Sequence, residues 1–113
     1  VMSYFVKNVP KPRASSPVLD NKDAIINDLN NLAAFSFQYR IRPKEVGGGA
    51  GSYLGFKIAE KLKKNGNAEF EAEVIDKDHI RFKATSAKGF GSVMETIDES
   101  GRIGNWTYSG QFK

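Results

Sequence analysis

Residues 43–55, PKEVGGGAGSYLG, place four glycines within five positions. Glycine at that density lets backbone amides approach a ligand closely, and the chemistry such a loop serves best is phosphate binding. A phosphate cradle has the form G-x-x-x-x-G-K-[ST] between a strand and a helix. Gly47, Gly48, Gly49 and Gly51 lead instead to Ser52, with no Lys-Ser or Lys-Thr pair behind them. The dinucleotide spacing G-x-G-x-x-G also fails, ending on Ser52 when started at Gly47 and on Leu54 when started at Gly49. The glycines are therefore read as backbone joints, permitting positive φ and tight packing where the chain leaves a helix.

Lys57, Lys61, Lys63 and Lys64 form the densest basic patch and are the candidates for binding an anionic polymer such as DNA. Aromatic residues and arginines are not interleaved among them, so a solvated surface is the plainer reading. His79 follows Asp76 and Asp78 in DKDH, a grouping that suggests a general base or a metal ligand. As the only histidine, in a turn without the spaced oxygen ligands of a calcium loop, it is read as surface decoration. Trp106, Tyr108 and Phe112 are placed in a final strand, where they pack between sheet and helix or seal a subunit contact. No nucleophile–base pair can be assembled, so no enzyme, cofactor or metal is expected.

The elements that position these residues follow from composition and periodicity. The chain has 113 residues, 40% hydrophobic and 27% charged, which suits one small domain with one modest core. It has no cysteine, which removes disulfides, thiolate catalysis and cysteine-based metal sites. Seventeen basic against thirteen acidic residues leave a net charge of +4. No run of about 18 apolar residues is present to span a bilayer. The first residue is Val1, so the chain is expected to be processed, truncated or excised from something longer.

Residues 1–19 read as an extended arm. VMSYFV is apolar, and Pro10, Pro12 and Pro17 among Lys7, Lys11 and Arg13 disfavour a helix. Residues 20–113 read as the folded head. Asp20 or Asn21 is expected to cap a helix in which Ile25, Ile26, Leu29, Leu32, Ala33 and Ser36 form an apolar stripe. Phe35, Phe37 and Tyr39 widen that stripe, and Pro43 ends the helix near Ile41. A short helix is expected over 57–64. Strands follow in AEFEAEVI, HIRFKAT, SVMETID and RIGNWTYSGQF, with acids of the first facing bases of the second. The expected fold class is α+β: one long N-terminal amphipathic helix on a four-stranded antiparallel meander.

Ala24, Asp28, Leu29, Asn31, Leu32, Ala33 and Tyr39, then Pro43, Gly47, Gly48, Gly49, Ser52, Tyr53 and Gly55, carry a resemblance to a known family. Together with the closing DESGRIGNWTYSGQF they make residues 20–113 resemble the head of bacterial type IV pilins and pseudopilins. The resemblance implies a structural subunit of an extracellular or envelope-associated filament, exposed at the cell surface. Its partners would be copies of itself and a pilus or secretion assembly machinery. The inner membrane would join them only if an upstream apolar helix exists, since the strongly apolar N-terminal helix of such subunits is absent from these residues. Val1, Met2, Tyr4, Phe5 and Val6 of the arm, with Phe35, Phe37 and Tyr39, are the expected subunit contacts. The alternative is a secreted binding module for an anionic polymer, working through the four lysines.

Overall fold

The computed structural model describes residues 16–113. Val1, Met2, Tyr4, Phe5 and Val6 lie outside the described residues. Helix α1 spans Pro17–Ile41 and is capped by Ser16, whose backbone is extended and whose Oγ accepts from the Leu19 amide at 3.3 Å. The cap is thus Ser16, not Asp20 or Asn21. Proline lacks an N–H and has its φ preset, so it disrupts a helix interior but fits the first helical position. Pro17 therefore opens the helix instead of extending the arm. Asp20 falls in the first turn, favourable to the positive end of the helix dipole. The helix stops at Ile41, as the proline at 43 requires.

After single 3-10 turns at Lys44–Val46 and Glu60–Leu62, four strands complete the head. They are β1 (Ala68–Asp76), β2 (His79–Ser86), β3 (Gly91–Ile97) and β4 (Ile103–Gly110), hydrogen-bonded as an antiparallel meander in that order. The fold is α+β, with α1 lying across β2 and β3. Alternation fixes which strand face turns inward. Phe70, Ile80, Phe82, Ala84, Val93 and Ile97 meet Ile25, Leu29, Leu32 and Ala33 of the helix in one core. On the outer face Glu69, Glu71 and Glu73 oppose Thr85, Lys83 and Arg81, and Glu73 pairs with Arg81 at 2.8 Å. That opposition makes a register slip costly, because it would bury charge and expose core.

Two expectations change. The segment 57–64 is not a helix but an extended stretch interrupted by the Glu60–Leu62 turn, so its lysines share no helical face. Asn65 and Gly66 punctuate it, and Lys64 forms an isolated bridge to Glu69, which draws the chain toward strand geometry. Phe112 is not in the last strand either. It lies beyond β4, where the Gln111 amide bonds the Phe90 carbonyl and turns the chain inward, and it is buried in the core.

Candidate functional site

The glycine loop sits against the C-terminal end of α1, where the last carbonyls of a helix have no intrahelical donor. Its amides fill that role. Gly49 donates to Tyr39 O at 2.8 Å, Gly51 to Arg40 O at 2.6 Å and Ala50 to Arg42 O at 2.9 Å. The loop is also packed too closely for side chains. A Cβ on Gly48 would strike the Arg42 carbonyl, and one on Gly49 would strike the Ser52 carbonyl and the Tyr39 ring. With its donors committed to the protein's own helix, the loop works as a helix cap. It offers no cluster of free amides to a phosphate.

Two of the three helix aromatics are held inside the head. Phe37 is half-buried against Gly101, where any Cβ would meet its ring at 2.8 Å. Tyr39 donates its hydroxyl to Leu54 O at 2.7 Å and packs edge-on against Phe56, centroid to centroid 5.6 Å. Phe35 remains 46% exposed. It lies in a groove between α1 and the returning chain, of about 470 Å³, lined among others by Leu32, Phe35, Tyr39, Phe56, Ile58 and Leu62. Ile41 at the end of the helix and Val46 just after it (each 61% exposed), with Leu54 (57%) beyond the glycine loop, are further exposed apolar side chains.

The lysine cluster is divided: Lys57 and Lys63 line one hollow together with Glu69 and Glu71, and Lys61 lines another. Lys63 pairs with Glu60 at 2.9 Å, Lys57 edges the groove, and Lys61 lies beyond it toward Asp28 and Asn65. His79 begins β2, with Nδ1 2.9 Å from Asp76 Oδ1 and Nε2 4.0 Å from Glu99 Oε2. The bond to Asp76 raises the imidazole above its ordinary value and holds the Asp76 carboxyl below its own. This corner is built around Arg40. Its guanidinium pairs with Asp78 at 3.0 Å, donates to the Lys77 and Glu99 carbonyls at 2.6 and 3.2 Å, and lies over the Tyr53 ring. Tyr53 is fully buried, donates to Asp98 O at 2.6 Å, and has its phenol pushed up to about 12 by burial. Together these contacts tie the helix end to the β1–β2 and β3–β4 turns. Among the described residues, no group of three or more His, Cys, Asp or Glu side chains could hold a metal ion.

At the far side Trp106 and Tyr108 stack in parallel, 6.3 Å between centroids, with the Lys22 ammonium 4.3 Å above the tyrosine ring. Both rings are half-buried. The sequence reading passed over Glu95. It occupies an inward position between Val93 and Ile97, is fully buried, and among the described residues has no hydrogen-bond partner for either carboxylate oxygen. Burial pushes its carboxyl up to about 8. The signal was present in SVMETID, where Val93 and Ile97 share a face that must include residue 95; Met94 on the opposite face obscured it.

No helix among the described residues is long and apolar enough to cross a membrane. Compared with protein-family models, curated proteins and solved structures, the chain matches none.

Proposed function

We propose that the chain is the head of a structural subunit that polymerises into an extracellular or envelope-associated filament of the type IV pilin kind. The observation that carries this reading is the exposure of three large apolar side chains, Ile41, Val46 and Leu54, in the segment that ends and follows α1. Exposed apolar residues scattered singly are ordinary, whereas a cluster at one end of a molecule is a contact surface. A contact between two different patches does not close on itself, so repetition extends it into a fibre. The apolar residues Val1, Met2, Tyr4, Phe5 and Val6 supply a second patch in the sequence. The resemblance of residues 20–113 to pilin heads supports the same reading, as does the arrangement of one long helix on a meander sheet. Copies of the chain are then the main partners, with an assembly machinery to order them at the cell surface.

Electron microscopy of the native, full-length product tests it. Filaments are expected under assembly conditions, and monodisperse particles across all conditions would reject the reading. The binding of an anionic polymer through Lys57, Lys61, Lys63 and Lys64 is the weaker proposal, because no common helical face aligns them. It requires affinity that falls steeply with salt.

A further inference from the structure

The groove beside Phe35 has an internal polarity that its lining makes explicit. The chain from Leu54 to Asn65 runs back along α1 in the opposite direction. Tyr39 bonds Leu54 O at one end, and Asn65 donates to Asp28 Oδ2 at 3.0 Å at the other. Between these fasteners Leu32, Phe35, Ile58 and Leu62 make an apolar floor. Arg42 and Lys57 stand toward the Tyr39 end. Among the described residues no acid lines this groove; Asp28 belongs to the adjoining hollow past Leu32, and Glu69 and Glu71 to a second one that Lys57 also edges. Among the described residues neither Arg42 nor Lys57 makes an ion pair.

We propose that this groove binds a long-chain carboxylate, with its headgroup between Arg42 and Lys57 and its hydrocarbon chain along Leu32, Phe35 and Leu62. Three properties select that occupant. Unpaired cations at one end of an apolar trough complement an anion joined to an apolar body. From Leu32 to Arg42 the helix rises about 15 Å, close to the length of an extended dodecanoate. The volume of about 470 Å³ would hold only about one turn of a helix whose diameter with side chains is roughly 10–12 Å, so it suits a single extended chain better. An extended peptide would fit by volume, but the α1 wall has its backbone groups committed within the helix. Such a peptide would leave its own amides unpaired there, a demand that methylene groups do not make. The chain's own arm is a poor occupant because Lys7, Lys11 and Arg13 follow its apolar residues and would meet like charge.

The proposal is independent of the filament reading, since it concerns the dispersed chain. Calorimetric titration of the full chain with dodecanoate, dodecanol and dodecyltrimethylammonium, each kept below micelle formation, tests it. Dodecanoate should bind about tenfold or more tighter than the cationic chain, the scale of one charge-assisted contact. The double variant Arg42→Gln/Lys57→Gln should abolish that preference while leaving dodecanol binding unchanged. Phe35→Ser, at an exposed position outside the core, should weaken all three, and circular dichroism should show the fold retained. Equal binding of the anionic and cationic chains overturns the proposal, as does dodecanoate affinity untouched by both variants. Sedimentation provides the remaining arm. If the variants disperse a self-associated form that takes up no dodecanoate, the occupant is a second copy and the carboxylate site is rejected.

Discussion

Glu95 and the loop glycines show how a single residue constrains this head in opposite ways. The folded carboxyl of Glu95 titrates at about 8, above the ordinary 4.5, so the native state keeps a proton that the unfolded chain releases between those values. The stability tied to this group is therefore complete below 4.5 and is lost as pH rises through about 8, to a total on the order of 5 kcal/mol. Urea unfolding at pH 5 and pH 9 should show the native chain weaker at pH 9, and Glu95→Gln should remove most of that difference. His79, also raised, drifts in the same direction, so the comparison between variant and native chain isolates Glu95. An unchanged pH profile in the variant would refute the assignment. The glycines act through space and conformation instead. Gly49→Ala forces a methyl into the Ser52 carbonyl and the Tyr39 ring, an overpacking that should cost about 1–3 kcal/mol. Gly66 has open space at its Cβ and no positive φ, so Gly66→Ala should stay within about 0.5 kcal/mol in the same urea assay.

At the scale of elements, α1 is fastened at both ends and packed between them. Asn21 donates to the Asn67 carbonyl at 3.0 Å and accepts from Ser86 Oγ at 2.5 Å near the first turn, while Arg40 grips the β1–β2 and β3–β4 turns near the last. Replacing Arg40 by Met keeps an apolar stem like that of arginine but leaves the Lys77 and Glu99 carbonyls without that donor. Hydrogen bonds to charged groups are worth about 1.5–3 kcal/mol, so Arg40→Met should lower stability by about that much. Amide exchange should show the loss as faster exchange at the C-terminal turns of α1, and protection unchanged there would contradict it. The helix and strands were legible in sequence because their periods differ: 3–4 residue spacing in Ile25, Leu29 and Leu32, and alternation in Phe70, Ala72 and Val74. The cap at Ser16 was missed because Pro17 was counted with the arm prolines, although its backbone suits the first helical turn. The groove was not legible at all. It depends on the segment after Leu54 folding back antiparallel to the helix, a long-range placement that no local pattern in SYLGFKIAEKLKK encodes.

For the whole molecule, magnitudes decide how the proposed filament contact must be shared. Fully burying a large aliphatic side chain contributes about 1.5–3 kcal/mol, and Ile41, Val46 and Leu54 are already partly covered, so together they supply only a few kcal/mol. Association costs an estimated 4–15 kcal/mol in lost rigid-body freedom before any side-chain ordering. Ile41, Val46 and Leu54 alone therefore cannot hold a subunit in a fibre, and in the proposed assembly the apolar residues Val1, Met2, Tyr4, Phe5 and Val6 of the sequence would supply further burial. This ranks two changes to the native, full-length product. Replacing those five arm residues by serine should abolish filaments in negative-stain images. Ile41→Asp/Val46→Asp/Leu54→Asp should weaken assembly, raising the protein concentration at which filaments appear. The substitutions at Ile41, Val46 and Leu54 (the tip variant) fall outside the buried helix–sheet core, so circular dichroism of the dispersed tip variant should be unchanged. The reverse ranking, with the tip variant losing filaments and the arm variant assembling normally, would show that the head carries the contact and that the arm has another role.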